Sequence, residues 1–115
     1  MSETATNLTH LAIDRALQLD NKQITLFVPS LKAVELRSKS IYDECLKREI
    51  DIRVITRYSP AMAFNFPNRS ALVVRICTKP EHLYGYRKGP NLIIDPWVWD
   101  NLPEAERLVW DARGD

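Results

Sequence analysis

The sequence predicts an α/β fold: a small three-layer domain in which helices flank a mostly parallel β-sheet. Residues 24–28 and 92–94 are apolar on both faces of an extended chain, which is typical of central parallel strands. Segments with helical periodicity separate the strands and are long enough to connect parallel neighbours. A turn-forming triplet between two strand-like runs adds a β-hairpin to this sheet.

The N-terminal half is predicted to contain a helix, a strand and a second helix. Apolar side chains recur at helical spacing from Asn7, and the first helix is expected to end near Asp20. A compact β-rich run follows and is closed by Pro29. Ser30 can accept a hydrogen bond from the amides after it, so it is the predicted N-cap of the second helix, which should stop near Glu49.

The C-terminal half is predicted to be richer in strands. Residues 50–56 alternate well enough to predict a second strand. An extended segment at residues 62–66 and the β-branched run at residues 71–77 are expected to form the hairpin around a turn at residues 68–70. Residues 102–112 predict a final helix, with a proline in its first turn.

Length, charge and cysteine content describe one ordinary domain. The domain is expected at residues 7–112, between flexible ends at residues 1–6 and 113–115. Sixteen Lys and Arg against fifteen Asp and Glu give a net charge of +1, so no overall field favours a nucleic-acid or membrane partner. No apolar run is long enough for a bilayer span, and two cysteines, Cys45 and Cys77, do not make a disulfide framework or a metal site. These features predict a reduced, cytoplasmic protein in which both cysteines are buried and inert.

The most distinctive stretch is an apolar strand that delivers Asp95 at its C-terminal end. Many nucleotide hydrolases hold a magnesium ion in this way, because the strand is rigid and the carboxylate emerges where an α/β sheet binds ligands. A carboxylate in this position also caps turns, and here it would cap the turn before Trp97. Both interpretations are open at this point.

Short motifs along the chain resemble those of phage terminase large subunits and related helicase-like P-loop ATPases. Leu-Tyr-Gly-Tyr-Arg at residues 83–87 and Gly-Pro-Asn-Leu-Ile-Ile-Asp at residues 89–95 are similar to that family's stretch before and through the Walker B strand. Residues 23–35 look like the strand and helix that follow the P-loop helix, and residues 66–70 look like the family's Asn-Gly-Ser turn. The resemblance covers about residues 8–100 and implies a truncated P-loop ATPase-like sheet.

The departures from that family concern the parts that perform catalysis. The chain has no GxxxxGK[ST] motif and no glycine before Gly85, so it lacks the amide-lined loop that holds phosphates. Pro96 stands where the family usually carries the glutamate that activates water. Since positioning and charge neutralisation provide nearly all of phosphoryl-transfer catalysis, these losses predict a catalytically silent relative that uses no cofactor.

Aromatic and basic residues are concentrated in the C-terminal third. If residues 97–99 are extended, the indoles of Trp97 and Trp99 point to the same side. Large aromatic side chains of this kind often anchor a protein partner. The alternative is that Trp97 and Trp99 belong to the hydrophobic core and pack against Trp110. The predicted partner-binding residues are Tyr84, Tyr86, Arg87, Lys88, Trp97 and Trp99.

These observations lead to three hypotheses for function. The first is a non-enzymatic protein of phage or mobile-element type that binds a macromolecular partner and modulates an ATPase or a nucleic-acid-processing machine, or that dimerises through an exposed sheet edge. The second is a nucleic-acid-binding accessory protein that uses Tyr84, Tyr86, Arg87 and Lys88. The third is a residual magnesium-dependent nucleotide-binding protein that uses Asp95.

Overall fold

The chain folds as a sheet with flanking helices, which confirms the α/β class. The computed structural model describes residues 3–55, 61–104 and Arg107. In chain order the elements are α1 (Glu3–Gln18), β1 (Gln23–Val28), α2 (Leu31–Lys47), β2 (Arg53–Ile55), β3 (Met62–Asn65), β4 (Ala71–Ile76), a 3-10 helix (Pro80–Leu83), β5 (Leu92–Ile94) and α3 (Pro96–Asn101).

Within the described residues the sheet has five strands in the order β2-β3-β4-β1-β5 and is mixed. The central strand β1 is parallel to both β4 and β5, but β3 is antiparallel to both β2 and β4. The prediction of a mostly parallel sheet was therefore wrong. The physical reason lies in the predicted hairpin: short connections between β2, β3 and β4 reverse the chain, whereas parallel pairing needs a long crossover.

One face of the sheet, the helical face, is covered by α1 and α2. Alternation along β1 directs Ile24, Leu26 and Val28 to this face, where they join buried side chains of both helices and of β3, β4 and β5. Ser30 caps α2 as predicted, since its Oγ accepts a hydrogen bond from the amide of Ala33 at 3.0 Å. This face carries the larger core.

The opposite face, the loop face, is covered by the 3-10 helix, the segment after it and α3. Phe27 of β1 projects here and packs with a second, smaller set of buried side chains: Cys77, Leu83, Val98 and Leu102. The sheet therefore lies between two layers, as the three-layer prediction requires. Both predicted buried cysteines are buried, Cys45 on the helical face and Cys77 on the loop face.

The hairpin turn also closes the C-terminal end of α1. Asn68 Nδ2 and Ser70 Oγ donate hydrogen bonds to the carbonyl of Ala16 at 2.7 and 2.6 Å. These bonds satisfy an oxygen that the helix itself leaves unpaired. Arg69 adopts a positive φ of 67°, which lets the chain reverse between β3 and β4. The predicted turn thus connects the sheet to the first helix.

Charged side chains join α1 to α2. Arg48 Nη1 lies 2.7 Å from Asp14 Oδ1, and its Nε lies 3.1 Å from Glu44 Oε2. His10 Nε2 approaches the other oxygen of Glu44 at 3.2 Å. Desolvation raises the pKa of Glu44, but hydrogen bonds from Arg48 and His10 outweigh it and hold that pKa below its ordinary value.

Several predicted boundaries differ from the observed ones. The first helix begins at Glu3, before the expected residue 7, and the second strand is only three residues long. The predicted final helix at residues 102–112 falls mostly outside the described residues, although the Arg107 amide donates to the Pro103 carbonyl as in a helix. The predicted C-terminal end at 113–115 also lies outside them. Among the described helices none has the length and apolar character to cross a bilayer.

Candidate partner-binding surface

Asp95, at the end of β5, is the N-cap of α3. Its Oδ1 accepts a hydrogen bond from the amide of Trp97 at 2.9 Å, and its carbonyl accepts from the amide of Val98 at 2.9 Å. Its own amide donates to the carbonyl of Phe27 in β1 at 3.0 Å. The prediction that this carboxylate caps the turn before Trp97 is confirmed.

The second carboxylate oxygen of Asp95 faces Arg37 of α2. Arg37 Nη2 lies 4.0 Å from Oδ2, and both side chains are 11% exposed. Arg37 Nη1 also donates to Thr9 Oγ1 at 2.6 Å, so the guanidinium connects α1, α2 and the end of β5. Burial lowers the pKa of Arg37, and the Asp95 carboxylate opposes this shift.

These contacts engage both oxygens of Asp95 within the fold. The parts of the chain that the structure describes contain no group of three His, Cys, Asp or Glu placed to hold a metal ion. A magnesium ion at Asp95 would have to compete with the helix cap and with the cationic Arg37. The arrangement therefore gives Asp95 a structural role.

The six predicted partner-binding residues fall into two groups. Tyr86 belongs to the loop-face core, because its ring meets Phe27 edge to face with centroids 5.0 Å apart. Trp99 is half-buried against the same core. Four residues are exposed at the surface: Tyr84, Arg87, Lys88 and Trp97.

Trp97 and Trp99 do not form a pair on one side of the chain. Residues 96–101 are helical, not extended, and positions two apart on a helix point about 200° apart. Trp97 is 70% exposed, whereas Trp99 packs inward. The expectation of two indoles on the same side was conditional on an extended backbone, which the cap at Asp95 replaces with a helix. Trp110, the proposed core partner, lies outside the described residues.

Beside the edge strand β5 the surface forms a groove with a volume of about 480 Å³, the β5 groove. Its walls are mainly apolar, and its charged members are Lys88 and Asp100. The full lining is Lys88, Gly89, Leu92, Ile94, Pro96, Trp99 and Asp100. Of the six predicted residues, the groove brings together only Lys88 and Trp99.

The sequence around β5 explains why a groove lies here. Pro90 and Pro96 bracket the strand and keep it short, and the cap at Asp95 turns the chain into α3 immediately after it. Arg15 Nη1 of α1 donates to the carbonyl of Pro90 at 2.8 Å, which holds the preceding loop in place. A side chain at Gly89 would approach Asn91 Oδ1 to 3.2 Å, so glycine suits this tight site.

Sequence reasoning missed the apolar lining of the groove. Leu92 and Ile94 looked like residues of a central strand, yet β5 is an edge strand and both side chains remain half-buried. The flanking prolines were the available signal for an edge position. No feature of the sequence predicts that Asp100 lines the groove, because its position there depends on the helical turn of α3.

Comparison with protein-family models, curated proteins and solved structures found no match to this chain. The similarity to P-loop ATPases therefore stays a prediction from short motifs.

Proposed function

We propose that this chain is a non-enzymatic protein of phage or mobile-element type that binds a protein partner through the β5 groove and modulates it. The observation that carries the proposal is the groove itself: an open apolar channel beside an edge strand, with one cationic and one anionic side chain in its lining. Apolar walls supply affinity, and a small number of charged groups fix orientation.

Exposed residues next to the groove support the same surface. Trp97, at 70% exposed, lies on the α3 helix that supplies Trp99 and Asp100 to the groove. Large aromatics that stand in solvent in the free protein are common anchors in protein interfaces. The missing phosphate-binding loop and the structural engagement of Asp95 favour binding over catalysis as the proposed activity, in a cytoplasmic setting and without a cofactor.

Site-specific photo-crosslinking in host-cell lysate tests the proposal. A photoreactive benzoylphenylalanine replaces Asp100 in one variant, and the same residue replaces the exposed Leu36 of α2 in a matched control. We expect position 100 to cross-link one defined protein that position 36 does not. The charge reversal Lys88→Glu should remove this product and leave the circular dichroism spectrum unchanged, because the side chain is exposed.

Two outcomes would contradict the proposal. Equal cross-linking patterns from positions 100 and 36 would mean that the β5 groove has no specific partner. A product that nuclease digests would instead favour the nucleic-acid alternative, which the joint exposure of Tyr84, Arg87 and Lys88 keeps open.

A further inference from the structure

The opposite edge of the sheet carries a second groove, the β2 groove, with a volume of about 340 Å³. It lies on the helical face, where α2 passes over the edge strand β2 and its neighbour β3. Its walls are mainly apolar and are formed by Tyr42, Val54, Met62 and Phe64, and the charged residues Glu35 and Lys39 also belong to the lining. Tyr42 and Val54 are about 40% exposed, so the groove opens to solvent.

The hydrogen-bond register shows which backbone groups of β2 face outward. The Phe66 amide donates to the Ser70 carbonyl at 2.9 Å, so alternation directs the backbone of Phe64 toward β4. The neighbouring residues 63 and 65 must then bond to their partners in β2, which are Ile55 and Arg53. Val54, between them, directs both its N–H and its carbonyl away from the sheet.

A buried hydroxyl lies in the lining of the same groove. Ser38 of α2 is 6% exposed, and its Oγ has no hydrogen-bond partner among the described residues. Buried polar side chains in proteins are normally satisfied, and an unpaired one calls for an explanation. Ser38 belongs to the groove lining, so a polar atom of an occupant is a candidate partner for its hydroxyl.

We propose that an extended segment of a partner protein adds to β2 as a sixth strand and places a tyrosine in the β2 groove. The segment pairs antiparallel, with the tyrosine opposite Val54, whose outward N–H and carbonyl bond to its backbone. The tyrosine ring packs on the apolar walls, and its hydroxyl bonds to Ser38 Oγ. A glutamate after the tyrosine lies opposite the exposed Arg53 on the other face of the sheet.

The occupant is a foreign segment and not a second copy of this chain. In a two-fold pairing of β2 strands, the residue of the copy opposite Val54 is Val54 itself or, in the adjacent registers, Ile52 or Thr56, and all three side chains are too short to fill the groove as a tyrosine ring does. The proposal concerns the edge of the sheet opposite the β5 groove, so it does not rest on the function proposed above. Binding at the β2 groove and binding at the β5 groove can therefore be tested separately.

Titration with a synthetic peptide tests this site. The probe is the acetylated and amidated heptapeptide Ser-Val-Thr-Tyr-Glu-Val-Ser, followed by amide NMR signals of the labelled protein. We expect saturable shifts at Val54 and Tyr42 and none around residues 92–100. Replacing the tyrosine by phenylalanine should weaken binding about 2- to 10-fold, the net worth of one hydrogen bond.

Ser38→Ala is the matched variant, since alanine preserves the helix and removes only the hydroxyl. It should lose the preference for the tyrosine peptide that the wild-type protein shows, whereas a merely apolar groove would show no such preference in either protein. A peptide N-methylated at the tyrosine should bind more weakly by at least the same factor, because it cannot donate to the Val54 carbonyl and its methyl group would meet that oxygen.

The proposal fails on any of three results. These are the absence of saturable shifts up to about millimolar peptide, an affinity ratio between the two peptides that survives Ser38→Ala, and self-association of the protein that Val54→Pro abolishes. The last result would assign the β2 edge to a second copy of the chain.

Discussion

The two faces of the sheet share the strand β1 but are covered very differently. On the helical face, α1 and α2 are 16 and 17 residues long and are joined by the Arg48–Asp14 ion pair and by the contact of His10 with Glu44. On the loop face, the longest helices among the residues that the structure describes are a 3-10 helix of four residues and α3 of six residues. Isolated helices this short are unstable, so α3 exists only because Asp95 caps it and Val98 packs beneath it.

This contrast indicates that the two faces of this small domain have different roles. The long helices bury a large core, and the free energy of folding should come mainly from that side. Among the described residues, the short elements of the loop face leave the β5 groove open beside β5. We therefore expect the helical face to dominate stability and the loop face to tolerate change and to carry recognition.

The largest expected effect comes from matched leucine truncations on the two faces. Leu72→Ala, on the helical face, should lower the free energy of unfolding by about 4 kcal/mol, near the upper part of the usual range. Leu83→Ala, on the loop face, should cost about 2 kcal/mol, because its surroundings can relax toward solvent. Both side chains are buried, at 0% and 3% exposure, so the comparison isolates the environment.

Urea denaturation with circular dichroism detection measures both values. Equal losses for Leu72→Ala and Leu83→Ala would show that the two faces are equally rigid.

A smaller effect is expected at Asp95, which connects the two faces. Asp95→Ala removes the cap of α3 and takes the carboxylate away from the largely buried side chain of Arg37, so it should cost about 1–3 kcal/mol. Asp95→Asn can still accept the hydrogen bond from Trp97 and should cost clearly less than the alanine variant. Urea denaturation monitored by tryptophan fluorescence compares the two variants, and equal costs would assign the effect to the Arg37 pair and not to the cap.

The smallest expected difference is in the rates at which the two buried cysteines, Cys45 and Cys77, react with a thiol reagent. Burial raises the pKa of Cys45 to about 11 and also raises the pKa of Cys77, so each thiol should react only after its face opens. Cys77 in the Cys45→Ala variant should react with a disulfide reagent roughly tenfold faster than Cys45 in the Cys77→Ala variant, because the loop face opens at lower cost. Labelling in denaturant, where both thiols are exposed, provides the control. Faster labelling of Cys45 than of Cys77 in the folded proteins would show that the loop face, and not the helical face, is the more stable one.

Local chemistry made part of this fold predictable. The apolar run of β1, the Ser30 cap and the turn at residues 68–70 each depend on neighbouring residues, and the structure confirms each. The cap at Asp95 belongs to the same class, since its bond to the Trp97 amide spans only two residues.

The candidate surface was less predictable because it depends on distant contacts. Tyr86 looked like an exposed anchor, but Phe27, 59 positions earlier, draws its ring into the core. Leu92 and Ile94 looked fully buried, but the strand order places β5 at an edge. The grooves on either side of the sheet combine residues from separate elements, which no local pattern contains.

Residue order alone determined where the chain bends, caps and extends, because those preferences act over a few neighbouring positions. Only the packing of the elements decided the direction of β3 and the place of β5 at the edge of the sheet. It also decided which aromatic side chains are buried and which are exposed. The same strands can pair in several orders. The order that forms is the one that buries the most apolar surface while every backbone group is paired.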